Sequence, residues 1–192
     1  AGFRSVMIDA SQKSFEDNIA VTREVVEYAH AKKVEVEAEL GKIGATDKIE
    51  TDNDESLYTD PAEAEEFVAR TGVDTLAVSI GTAHGVYPVK NPRIDLERLA
   101  RIRERVSIPL VLHGGSGLPP ETVQAAITIP GGGVSKINIA TDLEQAFLGS
   151  LGCERKSNQE IWQMDKDALA KAGEAVQQVV EDKIRNFLLW KA

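Results

Sequence analysis

Strand-type and helical patterns alternate along this chain, and this alternation limits the possible folds more than any other feature. Five short apolar runs each precede a segment with the periodicity or the start signals of a helix. The runs cover residues 4–9, 34–40, 75–80, 109–113 and 134–139, and the helices after them are expected to end near residues 32, 70, 106, 127 and 151. A further helical pattern covers residues 163–189. Repeated strand–helix–strand units predict an α/β fold with a parallel sheet and right-handed crossovers.

Each of the five strands ends in or beside a polar side chain. Those side chains are Asp9, Glu39, His84, His113 and Asn138. A (β/α)8 TIM barrel collects its chemistry at this carboxyl edge, but it needs eight strands and about 250 residues. Since the 192 residues supply five strands, we expect residues 1–152 to be the last five βα units of such a barrel. Residues 153–192 would then be a C-terminal helical extension of the same domain.

The start of the chain and one alternative architecture bear on this prediction. The chain opens almost directly on a strand and has no initiator Met, so we expect a start inside a longer polypeptide. A doubly wound open sheet is the alternative, and it too would place ligands at the carboxyl ends of its strands. The expected location of a functional site is therefore the same for both architectures.

Composition excludes several classes of partner. The net charge of −9 argues against nucleic acid and anionic membranes, because an acidic surface repels both. A small phosphorylated ligand stays compatible, since local N–H groups and a metal can override the overall charge. Cys153 is the single cysteine, which excludes an intrachain disulfide and favours a reducing, cytoplasmic location. No apolar run approaches the ~18 residues that a membrane-spanning helix needs.

Two histidines stand at the ends of neighbouring predicted strands. His84 and His113 each follow an apolar run, and each precedes a glycine. Two imidazoles at one sheet edge favour a site for zinc or another divalent metal, which usually needs a third ligand. In the alternative interpretation, each histidine only hydrogen-bonds loop backbone.

A glycine-rich turn at residues 114–117 follows His113 directly and is a candidate phosphate-binding loop. Glycine also serves ordinary tight turns, so the motif alone is a weak signal. Thr141 opens the next predicted helix, either as a simple N-cap or as part of a phosphate site shared by two adjacent loops.

The remaining polar residues of the strand ends have two interpretations each. Asn138 can hydrogen-bond a developing enolate oxygen or satisfy loop backbone. Glu37 and Glu39 share one strand face and can bind a cation or act as a base, although a solvated or salt-bridged barrel interior is the preferred interpretation for Glu37. Asp9 can lie near the metal as a ligand or as an outer carboxylate.

Several ordered motifs resemble the class II, metal-dependent ketose-bisphosphate aldolases, which include the fructose- and tagatose-bisphosphate enzymes. The motifs are SVMIDAS, VEVEAELGKIG, AVSIGTAHGVY, PLVLHGGSGLP and VSKINIATD. The forms AVSIGTAHGVY and NIATD are closer to the tagatose branch. The resemblance implies a (β/α)8 barrel and a cytoplasmic homodimer or homotetramer. It also implies aldol cleavage of a ketose bisphosphate to dihydroxyacetone phosphate and glyceraldehyde 3-phosphate, and the reverse condensation.

The same resemblance implies a set of functional residues. His84 and His113 match two of three Zn²⁺ ligands. Glu39 and Asp9 match carboxylates near the metal, which sometimes bind a second divalent or a monovalent cation. Asn138 matches the asparagine that contacts the enediolate of the substrate. The positions that hold the phosphate of dihydroxyacetone phosphate correspond to Gly85, Gly114, Ser116 and Thr141.

Three departures from the family pattern limit what the resemblance implies. The family's Asp-His pair, which carries the third zinc ligand and the catalytic acid, would lie before Ala1. Asp47 stands where a catalytic glutamate is expected, and its side chain is one methylene shorter. Residues 130–133 replace a shorter family segment. A non-catalytic or regulatory sugar-phosphate-binding subunit is therefore the alternative function, and a lyase for another phosphorylated ketose is a third.

Overall fold

Five parallel strands form the sheet of this protein. The computed structural model describes residues 2–45, 55–87 and 92–189. The sheet has the order β1 (Ser5–Ile8), β2 (Glu35–Leu40), β4 (Thr75–Val78), β6 (Leu110–Leu112) and β7 (Val134–Ile137). A separate parallel pair joins β3 (Gly44–Ala45) to β5 (Ala83–His84). The prediction of an α/β fold with a parallel sheet is confirmed.

Helices follow the strands, and several of them begin at a side-chain cap or a proline. Ser14 caps α1 by accepting a hydrogen bond from the backbone N–H of Asp17, and Asp60 caps α2 with Pro61 at the first turn. The helices are α1 (Phe15–His30), α2 (Pro61–Thr71), α3 (Leu96–Arg105), α4 (Pro120–Thr128), α5 (Thr141–Ser150), α6 (Asn158–Trp162) and α7 (Lys166–Asn186). Within the described ranges, no helix is long and apolar enough to cross a membrane.

Strand order follows chain order from β1 to β7, and consecutive helices pack against each other from α1 through α4. Among the described strands the order does not reverse, whereas a reversal defines the doubly wound sheet. Successive βα units are therefore laid side by side, with a helical layer over one face of the sheet.

The two faces of the sheet carry different side chains because neighbours along a strand point to opposite sides. In β2, β4 and β6 the helix-covered face is buried and includes Val36, Leu76 and Leu110, which pack with Phe67 of α2 and Leu99 of α3. On the opposite face, one row of residues in register across the strands has charged side chains at its two ends and small apolar side chains between them. In the register of the sheet that row is Glu39, Ala77, Val111 and Lys136.

Candidate active site

His113 lies directly after β6 and is held between two carboxylates of β2. Its Nε2 lies 3.0 Å from Oε1 of Glu37, and its Nδ1 lies 3.0 Å from Oε2 of Glu39. The imidazole is buried, with 4% of the residue exposed. Burial disfavours the charged ring, but the hydrogen bonds and charges of the two glutamates outweigh this effect and raise the pKa of His113 to about 9. Without a metal, the ring is therefore an imidazolium at neutral pH.

Glu37 has a second cationic partner. Nζ of Lys136 on β7 lies 2.7 Å from its Oε2, and the lysine side chain is half exposed whereas the glutamate is buried. Burial raises the pKa of Glu37, but the hydrogen bonds from His113 and Lys136 outweigh burial and lower it overall. Charges thus alternate through Lys136, Glu37, His113 and Glu39. This agrees with the salt-bridged interior that was the preferred interpretation of Glu37.

The structure brings the two predicted histidines together. His84 on β5 is exposed, and its ring centroid lies 5.8 Å from that of His113, with an angle of 39° between the ring planes. Imidazole nitrogens and a Glu39 oxygen are ligand types that zinc accepts. In residues 2–45, 55–87 and 92–189, however, no group of three or more such side chains is arranged to hold a metal. The donors present fit part of a zinc site, to which a further ligand must be added.

The glycine turn after His113 is packed tightly against both of its neighbours. Gly114 has φ +68°, and a Cβ there would lie 2.8 Å from the carbonyl carbon of Ala83. The N–H of Gly115 donates to the carbonyl oxygen of Asn138 at 2.9 Å. The N–H of Asn138 in turn donates to the carbonyl of Leu112 at 2.9 Å, so the backbone of Asn138 fixes the end of β7 beside the turn.

Ser116 and the start of α5 form the other side of the turn. The hydroxyl of Ser116 accepts a hydrogen bond from the N–H of Asp142 at 3.1 Å, and the N–H of Gly117 donates to Oδ2 of Asp142 at 3.1 Å. Nζ of Lys183 on α7 lies 2.6 Å from the same carboxylate oxygen. Thr141 is the first residue of α5, and the N-cap is Ala140, without a side-chain cap. The interpretation of Thr141 as a simple N-cap is therefore wrong.

Three further predicted site residues, Gly85, Asp9 and Asp47, lie in three different parts of the chain. Gly85 follows His84 with φ +104°. Asp9 is exposed after β1, where its Oδ1 accepts hydrogen bonds from the N–H of Ser11 at 3.0 Å and from the Ser11 hydroxyl at 2.7 Å. Its carboxylate is therefore engaged locally, away from the contacts of His113. Asp47 lies outside the described residues.

Sequence reasoning missed two residues that contact the site. Lys136 lies two residues before Asn138, and residues two apart on a strand point to the same face. The pattern VSKIN therefore indicated a cation on the polar face. Tyr87 carried no comparable signal, because it stands in the loop after β5. Its hydroxyl nevertheless bonds the backbone of residues next to both histidines.

Comparison with known proteins identifies the family. The family model for class II fructose-bisphosphate aldolases matches residues 1–189 of this chain. The YdjI aldolase from Escherichia coli K12 is 39% identical with a TM-score of 0.77, over 97% of this chain and 61% of that one. A fructose-bisphosphate aldolase from Campylobacter jejuni is 26% identical with a TM-score of 0.71, over 95% of this chain and 60% of that one. The chain thus spans less than two thirds of the length of these two relatives, and it belongs to the class II fructose-bisphosphate aldolase family.

Proposed function

We propose that this chain acts in a metal-dependent aldolase that cleaves a ketose bisphosphate to dihydroxyacetone phosphate and glyceraldehyde 3-phosphate, and catalyses the reverse condensation. The observation that carries the proposal is the pairing of His84 with the buried, carboxylate-bound His113 at the carboxyl edge of the sheet. Family membership supports the same chemistry.

The proposed architecture is five consecutive βα units of a (β/α)8 barrel, followed by a helical extension from residue 153. The sequential strand order and the helical layer support it. So does the polar sheet face, since the interior of a barrel would enclose the row from Glu39 to Lys136. Val6 and Met7 of the outer strand β1 are exposed, as expected if further strands pair there. The third metal ligand would come from beyond the described residues.

In the proposed metal site, His84 and His113 hold zinc, with Glu39 close by. Zinc, when bound, acts as a Lewis acid that polarises the ketone of the substrate. Glu37 accepts the Nε2–H of His113, so a metal would bind Nδ1 in place of the proton that this nitrogen now shares with Glu39. Asp9 is proposed as an outer carboxylate that assists a second divalent or a monovalent cation.

The rest of the proposed machinery binds and orients the substrate. The turn after β6 and the start of α5 hold a phosphate through Gly85, Gly114, Ser116 and Thr141. The amides of Gly115 and Gly117 already have partners in the protein. The phosphate would therefore rely on other groups of these loops and on the positive end of the α5 dipole. Asn138 would orient the reacting oxygen atoms, and Asp47 would move the proton.

The proposed substrate is tagatose or fructose 1,6-bisphosphate, and the AVSIGTAHGVY and NIATD motifs favour tagatose. We propose a cytoplasmic homodimer or homotetramer as the working form. In a second candidate function, the chain is a non-catalytic sugar-phosphate-binding subunit. Asp47, one methylene shorter than the catalytic glutamate expected there, favours that alternative.

The test compares two histidine variants of the natural full-length protein. His113→Ala is expected to lose bound zinc and more than 100-fold of the cleavage activity on both bisphosphates. His30→Ala is the matched control, because His30 pairs with Asp74 at the end of α1, away from the sheet edge. Cleavage that survives a strong chelator, or survives His113→Ala, would overturn the metal-dependent mechanism. Phosphosugar binding without turnover in the wild type would support the non-catalytic subunit instead.

A further inference from the structure

The hydroxyl of Tyr87 connects the two loops that carry the histidines. It accepts a hydrogen bond from the N–H of Ala83 at 2.8 Å and donates one to the carbonyl oxygen of Gly114 at 2.9 Å. Ala83 directly precedes His84, and Gly114 directly follows His113. One oxygen atom is therefore bonded to the backbone neighbours of both imidazoles.

The surroundings of Tyr87 keep this hydroxyl in place. Its ring packs against the hydrophobic core, and a Cβ at Gly117 would lie 3.5 Å from its Cδ2, so the ring also borders the far end of the glycine turn. Burial raises the pKa of Tyr87 to about 12, although the hydrogen bond from Ala83 lowers it. The hydroxyl therefore keeps its proton at neutral pH and can donate it to Gly114.

Among the described residues, the strand that carries His84 is short. Strand β5 has two residues and pairs with the two residues of β3, and its His84 side chain is exposed. By contrast, His113 follows a strand in the centre of the sheet and is buried. The separation of the two rings thus depends on what joins the short β5 to the turn after β6.

We propose that Tyr87 is a positioning residue, whose hydroxyl fixes the His84 loop against the glycine turn and thereby sets the separation of the two histidines. The part of this inference that concerns metal binding rests on the proposed function. Loss of the hydroxyl would leave the Ala83 N–H and the Gly114 carbonyl without this partner, and each loop would then move independently. Loss of outer partners of a metal site typically costs about 10- to 100-fold in metal affinity.

The test is Tyr87→Phe, which keeps the ring and removes one oxygen atom. Thr71→Val is the matched control, because the buried Thr71 hydroxyl donates to the carbonyl of Phe67 within α2. Both variants delete one buried hydroxyl, and both are expected to lower the unfolding midpoint by similar amounts. Hydrogen exchange is measured on the metal-free protein for peptides that cover residues 81–87 and 113–118, and zinc affinity is measured by competition with a chelator.

Tyr87→Phe is expected to speed exchange in both loops and to weaken zinc binding at least about tenfold, whereas Thr71→Val changes neither. Unchanged exchange in Tyr87→Phe, or zinc affinity within twofold of the wild type, would overturn the positioning role. If the wild type itself binds no zinc, the proposed function fails, and faster exchange in both loops would still support the role of Tyr87. If the wild type binds no zinc and Tyr87→Phe leaves the exchange rates of both loops unchanged, both the proposed function and the positioning role of Tyr87 are rejected.

Discussion

Lys136 and Glu37 form an ion pair of 2.7 Å, and the same carboxylate contacts Nε2 of His113 through its other oxygen. Glu37 is thus bound on both sides, by a half-exposed lysine and by a buried imidazole. A carboxylate fixed in this way holds the ring of His113 in one orientation and, in the proposed metal site, would determine which nitrogen faces the metal.

Glu37→Gln should weaken zinc binding by about 10- to 100-fold, because the amide no longer offers a charged acceptor to Nε2–H. Glu35→Gln is the control, since Glu35 lies two residues earlier on the same strand and is exposed. Competition with a fluorescent chelator measures both affinities. If the two variants bind zinc equally well, Glu37 has no part in orienting His113.

The metal-free protein should lose stability as the pH rises from about 6.5 to about 9. The pKa of His113 is raised to about 9 in the folded chain, whereas an unfolded histidine titrates near 6.5. A raised pKa contributes stability that is fully present below about 6.5 and is lost as the pH passes through the folded value. We expect a loss on the order of 1–3 kcal/mol.

Urea unfolding in the presence of a chelator, at intervals from pH 6 to pH 9.5, measures this loss. His113→Asn removes the titrating ring and should flatten the slope across that range. A slope that persists unchanged in His113→Asn would assign the effect to other groups.

Ser116→Ala should raise KM for the ketose bisphosphate by about 10- to 100-fold, because hydrogen bonds to charged groups contribute about 1.5–3 kcal/mol. Zinc content should stay at the wild-type level, since the Ser116 hydroxyl contacts the start of α5 and not a histidine. Ser107→Ala is the matched control on an exposed loop. A lower kcat at unchanged KM would contradict a phosphate-binding role.

Gly114→Ala should destabilise the protein by more than ~1 kcal/mol, because φ is +68° and the new methyl group would press on the backbone of Ala83. Gly173→Ala in the middle of α7 meets open space and should stabilise the protein by about 0.5–1 kcal/mol. Thermal unfolding of the two variants should therefore shift in opposite directions. Equal shifts would show that the turn adjusts to a side chain.

Local patterns were sufficient to predict the strand ends and the pairing of the histidines. His113 follows β6, and His84 comes after the neighbouring strand β4, so parallel topology predicts that the two loops lie close together. It does not predict that His84 lies on β5, which pairs with β3 in a separate sheet. Asp60 and Pro61 predicted the start of α2. Each of these features depends on residues close in sequence or on the order of the strands.

Contacts that skip a strand could not be predicted in this way. Glu39 reaches His113 across β4, which depends on the stagger of three strands and on the side chain between them. The role of Lys136 depends on the same geometry. The short helix α6 was missed within a polar segment, although Ser157 and Glu160 form a capping box there. The N-cap of α5 is Ala140, which provides no side-chain cap, whereas one interpretation of the sequence gave that position to Thr141.

Ala77 is a position at which the site of Glu39 and His113 can change during evolution. It lies beside Glu39 in the register and beside Val111 on its other side, and its methyl group leaves the space through which carboxylate and imidazole meet. Ala77 is fully buried, and it has no group that could hold a metal. A larger side chain at this strand position would therefore be expected to alter the proposed metal site while its ligands stay the same.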